Sequence, residues 1–469
     1  MRDKAALYPY LSSLYSIVEH FEELQSEYSL SRLVAPASYS GIGSDAGLII
    51  NGNPLGIVVN NNLDVTSSEW NTLLVFDAFE KGGSIFLECI QYVNSALESG
   101  KAVRFITADP HHVADVFLKL AESCPGQFKI ISNFIELKSV LHQEYRINLI
   151  NTPIVLISGL VEEADVFSVL IKLSLYLKGA NIKHLVLTKQ AAGILAGFYS
   201  YQHIFEDDSL NEAGRTEFLN NYVSSLEKKH LPEVILVEAP DAALTYNRYA
   251  PNGFSIRTYM MSQALSVDAC VLCAPCDLVV QKYLSEVSKG LEKRFGFRVD
   301  AVHASNLLVD SYAVQLQESI SCIRPPLNYV NKYLKEANAD PNGIPCYNVF
   351  DEQQIKKLGI QLFGERNSRG ETDHQAKKKN ILSNISTTSI GEELNKLLER
   401  DFDVDSAYLT GRYNSVPLTS SPFSFSTVKM VLLFFEIERY FNFRIPEEFL
   451  DNYGFLTIEK ITHIVESLI

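Results

Sequence analysis

The stretch ISGLVEEADVFSVLIKL, Ile157 to Leu173, sets an apolar run, a glycine and three carboxylates directly ahead of a helical pattern. A strand that turns into a helix points free backbone N–H groups at the turn, which is where phosphates bind in nucleotide-binding folds. A working phosphate loop also needs glycines for close backbone approach and a Lys followed by Ser or Thr for the phosphates and magnesium. Here Gly159 stands at the strand end, but Glu162, Glu163 and Asp165 occupy the loop and no Lys occurs before Lys172. Three carboxylates where a triphosphate would lie repel it, and a low-dielectric site amplifies that cost. The expectation is a degenerate phosphate loop that serves to start a helix, with no nucleotide as cofactor.

Other groups with chemical potential weigh the same way. EVILVEAPDA ends in Glu238 and Asp241, at a strand terminus where magnesium-binding acids sit in nucleotide-binding domains. Without a phosphate loop they read as helix caps and turn formers. GIGSDAG, Gly41 to Gly47, lacks the third glycine of a dinucleotide cradle in register and reads as a plain loop. CVLCAPC places Cys270, Cys273 and Cys276 at metal-cluster spacing. The run reads as a buried strand, however, which sends Cys270 and Cys273 to opposite faces; a fourth ligand would have to come from His303 or Cys322, and buried apolar thiols are the plainer reading. His111 and His112 follow an expected strand and read as a helix cap. No G-x-S-x-G or H-E-x-x-H pattern occurs, so no catalytic constellation is complete.

The elements that must position these groups come in two series. AALYPY, LSRLVAPA, TLLVFDA, AVRFITAD and FKIIS alternate with helical stretches, which points to a parallel, doubly wound domain over residues 1 to 150. TPIVLIS, IKHLVLTK, EVILVEAPDA, DACVLCAP and FRVDAVHASNLLV are near-continuous apolar runs, as in strands buried on both faces, and predict a second α/β domain over 151 to 325. Residues 326 to 380 read as a connecting segment with one helix at LNYVNKYLKEAN, closing on the polar linker GERNSRGETDHQAKKKN. Residues 381 to 469 read as a helical bundle. The fold class expected is thus α/β: two Rossmann-like parallel-sheet domains, the second like a degenerate P-loop domain, followed by a small acyl-carrier-like bundle.

Composition narrows the classes further. At 469 residues the chain is long enough for roughly three domains of about 150 residues each. A formal charge of −15 argues against a nucleic-acid binder, which needs clustered Lys and Arg. No apolar run is long enough to span a membrane and the N-terminus does not read as a signal, so the chain is expected in the cytoplasm. Seven Cys in such a chain suggest reduced thiols.

In the C-terminal module, SFSTVKMVLLFFEIERYFNFRIPEE carries 10 apolar residues among the 14 from Val428 to Phe441. One stripe facing a small bundle core uses about three or four positions per two turns. The surplus, Leu432, Phe434, Phe435 and Ile437 among it, is expected to form a docking face for a partner. Over about 80 residues the module resembles an acyl carrier protein: a helix, the long loop LTGRYNSVPLTSSPFS, a helix ending EIERYF, RIPEEFL and a last helix. By register from Pro446, Thr427 matches the carrier serine, Ser426 its preceding aspartate and Val428 its following leucine. With all three replaced, phosphopantetheine is not expected.

YPY at the first strand, NPLGIVV, TPIVLISGL, EVILVEAPDAALTYN and FGFRVDAVHASN resemble the peptide maturation system proteins of ribosomal-peptide natural-product clusters. The FFEIE…F.IPEE pattern is similar to the carrier-related modules of those clusters. The resemblance implies a non-catalytic accessory protein, with a radical SAM maturase or a Cys-rich precursor peptide as partner. The competing expectation is a nucleotide- or acyl-dependent ligase or transferase whose tethered module carries a covalent group.

Overall fold

The structure is a computed structural model. It describes residues 2–468 apart from 80–81, 111–112, 134–145, 208, 248–250, 311–312, 315–319, 326, 365–389, 403, 410, 424, 426, 442, 444 and 447–454. Two compact units divide the chain, Met1–Leu362 and Phe363–Ile469.

Two parallel sheets make up the first unit. In the N-terminal one, β1 (Asp3–Tyr8), β2 (Tyr28–Val34), β3 (Val59–Asn60), β4 (Thr72–Phe76), β5 (Ala102–Ile106) and β6 (Phe128–Ile131) lie in the order β3-β2-β1-β4-β5-β6. That is the doubly wound dinucleotide-fold order, with its reversal between β1 and β4. Every residue of β4 is buried, the mark of a strand covered on both faces. The rings of Phe105, Phe117 and Phe128 pack on one another in a core cluster that also holds Trp70 and Val75.

The second sheet runs β15 (Cys346–Tyr347), β12 (Ala301–Ser305), β11 (Ala269–Pro275), β7 (Ile154–Gly159), β10 (Val234–Glu238), β8 (His184–Thr188), β9 (Tyr199–Ser200), with every described pairing parallel. All six residues of β7 are buried. The chain leaves β7 toward β8, returns to β10, then crosses to β11 on the far side of β7, so the order reverses beside β7. In open α/β sheets that reversal opens a crevice at the carboxyl ends of the strands. The two-stranded antiparallel ribbon β13 (Leu308–Val309) and β14 (Cys322–Ile323) follows β12.

The segment read from the sequence as a connector, 326 to 364, in its described part belongs to this second domain. Helix α1 (Leu327–Ala337) sends Val330, Leu334 and Ala337, one face at helical spacing, into the sheet's core, and β15 extends the sheet beside β12. The polar linker lies in its length after residue 364 outside the described residues. Among the described residues no helix is long and apolar enough to cross a membrane.

Among the described residues the second unit holds three α-helices, Ile390–Phe402, Thr427–Phe441 and Ile458–Leu468. Leu394, Leu398, Leu433, Ile437, Ile461 and Val465 form its core.

Candidate functional site

Helix α2 (Val166–Gly179) follows β7 through the loop Leu160–Asp165. Gly159 is required there by space: a Cβ would stand 2.4 Å from the Val161 carbonyl oxygen and 3.0 Å from Val166 Cγ2. Counted from Gly159, the pattern G-x-x-x-x-G-K-[ST] puts Ala164, Asp165 and Val166 where a phosphate loop has Gly, Lys and Ser or Thr. The Lys position is therefore charge-reversed.

The three loop carboxylates have different fates. Glu162 and Glu163 are exposed at the mouth of a cleft. The Glu163 carboxyl is nevertheless crowded enough that burial, then the neighbouring Glu162 charge, pushes it above the usual carboxylate range. Asp165 turns inward: its backbone is left-handed at φ 55°, its side chain does not cap the helix, and that side chain is only 5% exposed. Arg324 Nη2 lies 3.4 Å from its Oδ1, and His303 Nε2 4.0 Å from its Oδ2, too far for a hydrogen bond. Burial alone would raise the Asp165 carboxyl; Arg324 and then His303 outweigh it and hold it below its usual range.

The cleft has a volume of about 620 Å³ and lies at the carboxyl ends of strands from both sheets. Ser12 and Tyr39, from the turns after β1 and β2, form one wall, and the loops after β7, β8 and β10 form the other. Glu238, at the end of β10, is buried and accepts from Thr188 Oγ1 and from the Lys189 N–H at 3.2 Å. Burial pushes its carboxyl up. Asp241 is the helix cap expected of it: for the helix Ile256–Ala264 it accepts from the N–H groups of Arg257 at 3.1 Å and Thr258 at 2.9 Å. Lys189 Nζ donates to the Pro240 carbonyl at 3.2 Å.

The remaining sequence candidates separate from this cleft. The acid of GIGSDAG is taken up by backbone donors, Asp45 accepting from Gly47 N at 2.8 Å, Leu55 N at 2.9 Å and Gly56 N at 2.7 Å as well as capping Leu48, while Gly43, Ser44 and Ala46 N–H donate to backbone carbonyls. Cys270 and Cys276 lie in the second sheet's core, whereas Cys273 pairs with His303 across β11 and β12. All three thiols are buried and pushed upward by that burial, Cys276 to about 12. Among the described residues no group of three or more His, Cys, Asp or Glu is placed to hold a metal. His111 and His112 lie outside the described residues.

In the helical unit Thr427 is the first residue of its helix. The docking face read from the sequence needs correction at Ile437, which is fully buried in the bundle core with Leu433. Phe434 packs edge-on against Phe455 at 5.3 Å and is only partly exposed. Apolar count cannot say which residues a small bundle turns inward; here it takes these two. The side chains of Leu432 and Phe435 lie outside the described residues.

Sequence reasoning missed the partners of Asp165. Arg324 comes from β14's flank, 159 positions away, and an isolated Arg before two prolines carries no local sign of a buried carboxylate. It also missed the contact of α2 with the N-terminal domain, where Lys172 Nζ meets Glu19 Oε2 at 2.5 Å and His20 Nε2 at 2.8 Å.

Fold and site together define an α/β protein of two parallel-sheet domains enclosing a cleft whose phosphate-loop position is acidic. No known protein family matches the sequence, and no curated protein matches it. Among solved structures, a DUF1611 family protein from Anabaena variabilis aligns over 77% of this chain and 99% of its own, at 13% identity and a TM-score of 0.48. A likeness at that level assigns neither family nor role.

Proposed function

We propose that this protein is a non-catalytic accessory protein of a ribosomally synthesised peptide maturation system, one that holds a radical SAM maturase or its precursor peptide and does not turn over nucleotide. The observation that carries the reading is Asp165. At the position that would bring a Lys to phosphates, a buried carboxylate is committed to Arg324, so a triphosphate would meet negative charge in a low-dielectric pocket. The strand-end acid Glu238, which could otherwise hold magnesium, is engaged by Thr188 and Lys189. The link to peptide maturation rests on the sequence resemblance.

Two measurements on the full chain test the reading. Calorimetry with magnesium ATP and magnesium GTP is expected to give no binding heat; hydrolysis abolished by Glu238→Gln would overturn it. A purified radical SAM maturase and precursor peptide from the same organism are expected to be retained by it on a column, and retention of neither removes the accessory role. A Phe434→Glu variant cannot separate docking from folding, because that ring packs on Phe455. Incubation with coenzyme A and a phosphopantetheinyl transferase is expected to leave the intact mass unchanged; a gain at Thr427 would favour a carrier enzyme.

A further inference from the structure

Two cleft-lining side chains carry a buried polar atom with no hydrogen-bond partner, Asp165 Oδ2 and Arg324 Nη1; His303 Nε2, likewise unpartnered, lies behind Asp165 and outside the cleft lining. The side chains of Asp165, His303 and Arg324 are 5%, 0% and 20% exposed, so bulk water does not satisfy them freely. They come from three separate elements, the N-terminus of α2, strand β12 and the flank of β14. His303 Nδ1 accepts from the Val349 N–H at 3.3 Å, which leaves the proton of the neutral ring on Nε2. The floor therefore offers one donor, Arg324 Nη1–H, beside one acceptor, Asp165 Oδ2, with His303 Nε2–H behind the acceptor.

That array selects against simple ions. A phosphate or carboxylate drawn to Arg324 meets Asp165 in the same step, and an ammonium drawn to Asp165 meets Arg324. An uncharged amide, whose C=O and N–H stand side by side, matches donor and acceptor together. Charge at the mouth differs: Glu162, Glu163, Asp165, Glu238 and Asp241 line the cleft against Lys189 and Arg324, and the exposed pair is Glu162 and Glu163. A volume of about 620 Å³ lies within the roughly 300–1,000 Å³ of clefts that enclose a small ligand.

We propose that this cleft binds a short peptide segment, seating an uncharged amide on the Asp165–Arg324 floor and a basic side chain against Glu162 and Glu163 at the mouth. The proposal rests on the peptide-binding reading above and gives it a place and a chemistry.

Saturation-transfer NMR on the full chain, with N-acetyl-lysyl-glycinamide, its norleucyl and glutamyl analogues and inorganic phosphate as probes, tests it. The lysyl probe is expected to bind about tenfold more tightly than the norleucyl one, and the glutamyl probe and phosphate not to compete. Glu162→Gln with Glu163→Gln, both exposed residues, is expected to erase the lysyl preference while norleucyl binding persists; Asp165→Asn is expected to weaken both. No binding by any amide probe, displacement by phosphate, or a lysyl preference unchanged in the double glutamine variant overturns the proposal. If the lysyl probe behaves as expected while maturase and precursor are not retained, the accessory role falls and the cleft assignment stands. Retention without probe binding gives the reverse.

Discussion

Replacing Lys172 by Met is expected to cost stability in a pH-dependent way that can be worked from the structure. Lys172 on α2 reaches across to Glu19, on the helix Tyr15–Glu19 of the N-terminal domain, with 11% and 19% of the two side chains exposed. Burial raises the Glu19 carboxyl, but His20 and Lys172 outweigh it and bring it down to about 2, from an ordinary 4.5. A displacement of about two and a half units is worth roughly 3 kcal/mol, and with part of the pair still in water about 2 kcal/mol is the better figure. Because the folded value lies below the unfolded one, this stability is present above about pH 4.5 and is lost as pH falls toward 2. Urea denaturation of parent and Lys172→Met from pH 7 to pH 2 reads the difference, in which the many other carboxylates cancel. The variant is expected to be less stable by about 2 kcal/mol at pH 5 to 7, with most of the gap gone by pH 2, where Glu19 in the folded parent is about half protonated. A gap that stays constant across that window would refute the electrostatic account of this contact.

Three further outcomes follow from the same geometry. Arg324→Met leaves Asp165 buried without its cation and is expected to cost about 3 kcal/mol or more, while Asp165→Asn with Arg324→Met recovers most of it; additive losses in urea melts would deny the pairing. Gly159→Ala forces a Cβ against the Val161 carbonyl and is expected to destabilise by about 1–3 kcal/mol, read from the same melts. Cys322, whose thiol burial and then Glu163 push up to about 12, is expected to react with iodoacetamide about a thousandfold more slowly than a thiol of ordinary acidity at pH 8, rising with pH; mapping by mass spectrometry at ordinary speed would show that the thiol is not so buried.

What the sequence made legible was whatever repeats locally. Ile154 to Gly159 reads as a strand covered on both faces because six consecutive positions are suited to burial, and all six are buried. Asp241 reads as a cap because an acid after a strand is short of partners, and the helix beginning at Ile256 supplies them. In residues 327 to 347 the helix was legible but its place in the second domain was not: only Val330, Leu334 and Ala337 are buried on it, and the edge strand of two residues pairs with Val302 and His303, more than 40 positions earlier. The burial of Ile437 escaped for the opposite reason. Where a helix is apolar on nearly every side, periodicity no longer says which side is in.

The carboxylate of Asp165 does more than leave the loop without a Lys for phosphate. Had the Lys position simply become neutral, the free N–H groups at the start of α2 would still favour an anion through the helix dipole. A carboxylate there removes that preference, and on its own it would be costly to bury. Arg324 makes it tolerable, at the expense of linking the β14 flank to the start of α2. The result is a nearly neutral floor with directional hydrogen-bonding groups beneath an acidic mouth. A cleft with those properties discriminates by donor and acceptor geometry within and by charge at the rim, the division of labour by which a site distinguishes one peptide segment from another.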